Sequence, residues 1–215
     1  MKNLIAIVSG EPESINSEII AKSWKSIKPT VKKRLFVIGS YSLINQQLKK
    51  IKIFIPLKRI GSISEINSSK KLNILDVPLS FINPFKVSSK PSAKYVIKCL
   101  NLAHSLAFKK KIKGFINCAI DKKKVFKSNF GVTEFLAKKN NIKGSEAMLI
   151  YNKNYSVVPA TTHIKINMVS KKLSKKMIEN KIKVINKFYV KHFKKKPIIA
   201  VLGLNPHNNE LNVNS

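Results

Sequence analysis

Short apolar runs alternate along this chain with longer amphipathic stretches. Leu4–Val8 is the first run, closed by Ser9-Gly10. Ser14–Lys25 follows with Ile15, Ile19, Ile20 and Trp24 at helical spacing. Strand, tight turn and helix in that order open an α/β fold, in which each turn lies at the carboxyl end of its strand. Arg34–Ile38 repeats the theme as a second strand, with a helix over Ser42–Lys49. Ile51, Ile53 and Ile55 alternate with other residues as a third strand, and Leu72–Val77 makes a fourth. The chain breaks at Ser88–Pro91. Val96, Ile97, Leu100, Ala103 and Ala107 then set a helix over Ser92–Phe108, and Gly114–Ala119 is a further buried strand.

The remainder reads the same way, with weaker patterning. Phe130–Lys139 is a short helix around the Gly131 turn. Ala147–Tyr151 and Ser156–Ala160 flank Asn152-Lys153-Asn154 as a hairpin. Ser170–Val190 is a long basic helix that turns Leu173, Met177, Ile182, Ile185 and Tyr189 inward. Ile198–Leu202 is a last strand, opening into Gly203-Leu204-Asn205-Pro206-His207. The polar stretch Lys122–Asn129 divides the chain into a first α/β lobe, 1–128, and a second, 129–215.

Composition changes this picture in one respect. Hydrophobic residues at 44% and charged residues at 24% of 215 are ordinary for a globular chain, but 42 basic against 10 acidic residues leave a net charge of +32. Such a balance raises nucleic acid as a partner. Against it, every basic residue is Lys except Arg34 and Arg59, whereas readers of bases and phosphates use the bidentate Arg fork. Lys, Asn and Ile are abundant throughout, so the charge is a drift of the whole chain. No specific nucleic-acid partner is expected, and any binding should be weak and lost at moderate salt. Cys99 and Cys118 form no CxxC pair and fit a reducing cytoplasm. No apolar run approaches about 18 residues, and Leu4–Val8 is too short for a leader, so no membrane segment is expected.

Chemistry is sparse. No Walker sequence, GxSxG elbow or HExxH occurs, and Gly10-Glu11-Pro12 lacks the glycines of a dinucleotide fingerprint. His104 and His192 lie inside helices, where packing or surface roles suffice. His163 and His207 each end an apolar strand and enter a loop. Ligands of open α/β sheets bind outside the carboxyl ends of strands, and two neutral imidazoles there suit a divalent metal. Thr133 and Glu134 suit a helix amino terminus by capping and dipole. Lys122–Lys124 could meet an anion, although a solvated charge run is the commoner explanation.

In chain order these pieces resemble a known family. Ser9-Gly10-Glu11-Pro12, Asn73-Ile74-Leu75-Asp76, Ser89-Lys90-Pro91-Ser92, Gly131-Val132-Thr133-Glu134-Phe135, Ala160-Thr161-Thr162-His163 and Gly203-Leu204-Asn205-Pro206-His207 look like 4-hydroxythreonine-4-phosphate dehydrogenase. The last two motifs are the specific ones. The resemblance implies an isocitrate/isopropylmalate-dehydrogenase-like α/β/α sandwich with two lobes, the second incomplete. It implies a homodimer with its active site at the subunit interface, working in the cytoplasm of the cell. It implies oxidation of 4-phosphohydroxy-L-threonine by NAD, with decarboxylation, in pyridoxine phosphate biosynthesis. A divalent cation (Zn, Mg or Co) would be held by His163 and His207, and Thr133 would contact the phosphorylated amino-acid substrate.

Departures from the family pattern are also legible. Val132 stands where the family commonly has His, and Cys118-Ala119 replace a Gly-Pro. The family's third metal-ligating His and its later substrate-binding Lys, Asn and Arg find no match before Ser215. The chain is therefore expected to lack the family's carboxy-terminal third and to be inactive alone. The alternatives are an inactive remnant or, less favoured, a basic nucleic-acid-binding protein.

Overall fold

Ile5–Val8 forms β1, an apolar run whose neighbours on both sides are also strands. The computed structural model describes residues 3–66, 70–126, 131–142, 146–162 and 164–204. They fall into two units, 1–131 and 132–215. In the first, α1 (Asn16–Ser26) and α2 (Pro29–Lys32) lead to β2 (Leu35–Gly39). Then follow α3 (Tyr41–Lys50), β3 (Leu57–Ile60), β4 (Leu72–Asp76), α4 (Ser89–Phe108), β5 (Gly114–Asn117) and α5 (Lys122–Phe126). The five strands are all parallel, in the order β3-β4-β2-β1-β5.

Strand side chains alternate between the two faces. Leu35, Val37, Leu72 and Ile74 turn to one face and pack with Ile20, Ala21 and Trp24 of α1 and Ile44 and Leu48 of α3. Ala6, Val8, Phe36 and Ile38 occupy the alternate positions and are fully buried, and α4, which packs on β1 and β2, buries Val96, Cys99, Leu100 and Ala103. The chain leaves β1 toward β2 and later enters β5 on β1's other side. With right-handed crossovers these two moves put their helices on opposite faces. The gap between β1 and β5 is thus the place where the winding reverses.

The third strand differs from the alternation of Ile51, Ile53 and Ile55. Lys52 takes a positive φ of 55° after α3, and the three isoleucines pack against the α1–α3 core without entering the sheet. The paired strand begins one residue after Pro56, with Leu57 opposite Leu72.

In the second unit, α6 (Val132–Lys139), α7 (Val169–Lys172) and α8 (Lys175–Phe193) are helical. The helix expected over Ser170–Val190 is split, because Ser174 is extended and caps α8 by accepting from the Met177 N–H at 3.2 Å. The hairpin is reduced to a single bridge, Ile150–Val157. Ile198–Leu202 is not a strand. Its apolar pattern suits one, but no neighbouring strand among the described residues accepts its backbone bonds, and Ile198 and Leu202 are exposed.

Candidate functional site

The carboxyl edge of the parallel sheet gathers most of the buried polar groups of the first unit. After β1 the chain turns at Gly10, with φ +74°, a conformation that favours glycine. A Cβ there would come within 2.4 Å of the Ala119 carbonyl, so the loops after β1 and β5 are pressed together. The Glu11 N–H and the Asn16 side-chain amide both donate to that carbonyl, at 2.9 and 2.8 Å.

Three further groups fix the edge. The Tyr95 hydroxyl of α4 lies 2.7 Å from Ser9 Oγ and accepts from the Ser40 N–H at 2.8 Å, tying the ends of β1 and β2 to one helix. Gly39 is required beside it, since a Cβ would stand 2.6 Å from Ser9 Oγ. Burial pushes the Tyr95 hydroxyl up and the adjacent Cys99 thiol up to about 12, so both stay protonated and neither is a nucleophile near neutrality. Gln47 receives a hydrogen bond from Ser17 and donates to the carbonyls of Pro12 and Pro84, at 2.7 and 2.6 Å. Asp76, ending β4, accepts from the Tyr41 N–H at 2.8 Å and pairs with Arg59 at 2.6 Å.

Charge is concentrated where the loop after β1 meets α4 and α5. Glu11 is only 7% exposed and accepts from Ser92 Oγ at 2.5 Å. Glu13 accepts from the Val87 N–H at 3.0 Å and from Lys124 Nζ at 2.8 Å. The Lys124 hydrogen bond holds Glu13 below the usual carboxylate range, and the same bond raises Lys124. Lys122 and Lys123 are exposed. A shallow cleft of about 330 Å³ opens on the other side of the loop, between Glu13, Ile15 and Glu18 and the pair Ile51 and Phe85.

Of the residues singled out in the sequence, Thr133 lies exposed in the first turn of α6, beside half-buried Val132. His163 and His207 lie outside the described residues. No group of three His, Cys, Asp or Glu side chains able to hold a metal occurs among the described residues. His104 stacks on Phe108 at 5.9 Å and His192 on Phe188 at 4.7 Å, the packing roles expected of them. Sequence reasoning missed Tyr95, Ser92 and Gln47. Each is a polar residue on a core-facing helical position, and that mismatch was the available signal.

Comparison with known proteins gives this edge its context. The family described as pyridoxal phosphate biosynthetic protein PdxA matches residues 31–213. A 4-hydroxythreonine-4-phosphate dehydrogenase of Aquifex aeolicus is 32% identical over 98% of this chain and 65% of its own length. One from a Sulfurihydrogenibium species is 31% identical over 94% of this chain and 63% of its own. The chain thus spans a little under two thirds of these relatives. A crystal structure titled 4-hydroxythreonine-4-phosphate dehydrogenase from Klebsiella pneumoniae superposes with a TM-score of 0.82 at 26% identity, over 97% of this chain and 66% of that one. The α/β fold implied by the sequence is therefore the fold this chain shares with its solved relatives, and the chain belongs to the PdxA family of pyridoxal phosphate biosynthetic proteins.

Proposed function

We propose that the chain serves as an NAD-dependent 4-hydroxythreonine-4-phosphate dehydrogenase. The alcohol carbon of 4-phosphohydroxy-L-threonine gives a hydride to NAD and its hydroxyl gives up a proton. The resulting 3-oxo acid then loses carbon dioxide to leave 3-amino-2-oxopropyl phosphate. The observation that carries this reading is the match over residues 31–213, a span in which Thr133, His163 and His207 fall. The relatives named for this activity support it over nearly the whole chain.

The parallel sheet suits a nicotinamide dinucleotide in outline, since such cofactors bind across carboxyl strand ends where the winding reverses. Its carboxamide and ribose hydroxyls are donors, and the edge between β1 and β5 is rich in acceptors. His163 and His207 would hold the divalent cation, which when bound would polarise the reacting oxygen. Thr133, exposed at the start of α6, would offer a hydroxyl to the substrate. Val132 cannot donate a hydrogen bond as a His would, which favours a substrate held more loosely there. The working form would be a cytoplasmic homodimer with its site at the subunit interface.

The test is NADH absorbance with the phosphorylated substrate and added divalent cation. Measured on a protein that joins this chain to the carboxy-terminal third of a family member, turnover should fall about 10²–10³-fold in His163→Ala, the scale of a lost metal contact, with the melting temperature unchanged. Undiminished turnover in that variant would remove His163 from the site, and no turnover with any divalent cation in the full-length protein would overturn the reading.

A further inference from the structure

Two oxygen atoms at the reversal point between β1 and β5 are buried and lack a hydrogen-bond partner: Glu11 Oε2 and Asn117 Oδ1. Asn117 sits opposite Val8 in the parallel register, so its side chain lies on the sheet face that α4 covers. Glu11 reaches the same helix through Ser92. The two loops are joined by the bond from the Glu11 N–H to the Ala119 carbonyl. Both acceptors therefore stand on the α4 side of the sheet, where the loops after β1 and β5 meet. Among the described residues Asn101 and Glu146 also carry an unpartnered buried oxygen, but neither belongs to a strand end.

What is missing there is a donor. Glu11 already uses Oε1 for Ser92, and Asn117 already spends Nδ2 on the Cys118 carbonyl at 2.8 Å. The nearest cation does not supply one. Lys124 is close enough for Glu11 to act on its charge, yet its ammonium is bound to Glu13 and held off. The other charged group at this corner is Asp121, an acceptor that already takes the Lys123 and Lys124 N–H groups. Leaving two buried acceptors unmade is costly, so such pairs persist where a ligand satisfies them. Open α/β sheets place their ligands at this reversal.

We infer that Glu11 and Asn117 form an acceptor pair that receives the N–H groups of a bound small molecule. An ammonium or a primary amide fits, because each offers more than one hydrogen from one nitrogen. Within the proposed function, on which this inference rests, two sources carry that chemistry: the ammonium of the phosphorylated amino acid and the carboxamide of the nicotinamide. Glu11 would confer specificity by rejecting analogues that lack the nitrogen, since their binding leaves both oxygens unpaired.

Glu11→Gln is the informative variant. It keeps an oxygen for Ser92 and the side chain's shape, and it puts an amide donor where the ligand's donor must sit. Titration calorimetry of the whole chain with NADH, and separately with 4-phosphohydroxy-L-threonine, should show a loss of about 10- to 100-fold in affinity for one of the two. The ligand that loses affinity identifies the source. Asn117→Ala should weaken the same ligand and leave the other alone. Without ligand, Glu11→Gln should still unfold in one cooperative transition, because it keeps the side chain's shape and the oxygen that Ser92 uses. A variant that melts lower but keeps both affinities would make Glu11 a structural residue and overturn the inference. Binding of neither ligand by the unaltered protein would instead count against the proposed function and take this site with it.

Discussion

The two units of the chain have the same kind of sequence and reach different ends. In residues 1–131 every strand has a partner, both sheet faces are covered over the central strands β1, β2 and β4, and the polar groups at the carboxyl edge are cross-linked by Tyr95, Gln47 and Glu11. Among the described residues of 132–215 only Ala137 is a buried apolar side chain, and α8 buries none of its nineteen residues despite a good cap at Ser174. Ile150, Val157, Ile198 and Leu202 are exposed. Apolar patterning sets what a segment would bury; whether it does depends on a second surface in reach. A cap and a periodic face make α8 a helix, yet among the described residues they bury no apolar side chain of α8 itself.

That contrast should be largest in stability. Trp24→Ala, at a site 4% exposed in the α1–α3 core, should destabilise the first unit by about 3–5 kcal/mol. Ile198→Ser, on a segment that pairs with nothing among the described residues, should stay within about 0.5 kcal/mol. Urea unfolding of both variants measures the difference directly. Comparable losses would mean that Ile198 is buried in solution, and the comparison between the units would fail.

The same contrast explains what could be read from the sequence. Strands β1, β2, β4 and β5 were legible because each is a short apolar run bounded by turn residues, and α4 because its apolar positions repeat at helical spacing from Val96 to Ala107. Ile51–Ile55 misled because inward-facing isoleucines look alike in a strand and in a loop packed on the core; only the backbone bonds between β3 and β4 distinguish them. Ile198–Leu202 misled for the opposite reason, since strand character is a property of a pair. The edge's outline was visible in Ser9-Gly10-Glu11-Pro12 and Asn73–Asp76. Its hydrogen-bond network was not, because Tyr95 meets Ser9 across 86 positions of sequence, and no local pattern encodes that.

A smaller effect sharpens the comparison by asking how the edge is kept ordered. Tyr95→Phe preserves the ring in the core and removes only the hydroxyl. The Ser40 N–H and Ser9 Oγ would be left buried without their partner, which should cost about 1–3 kcal/mol. Amide hydrogen exchange should rise at the ends of β1 and β2 and stay unchanged across α8. Uniform loosening of both units would show that the network stabilises the chain generally and does not belong to the edge.

The smallest effect lies at the surface of that edge, in the tie between Glu13 and Lys124. The Lys124 hydrogen bond, helped by its charge and by the Val87 N–H, lowers Glu13 against an opposing contribution from burial. A carboxylate depressed on folding adds stability above its unfolded value of about 4.3 and loses it as pH falls through the folded value. Lys124, raised by the same bond, adds stability below its unfolded value of about 10.4 and loses it as pH rises through the folded one. Between those limits the tie is intact, holding the loop after β1 against α5 and the segment before α4. An NMR titration should place the Glu13 carboxyl midpoint below that of an ordinary glutamate. Lys124→Met should carry it back to the ordinary value and beyond, because burial, which raises the carboxyl, then outweighs the Val87 N–H. A midpoint at the ordinary value in the unaltered protein would mean the loop is not held by this pair, and the order of the edge would have to come from Tyr95, Gln47 and Glu11 alone.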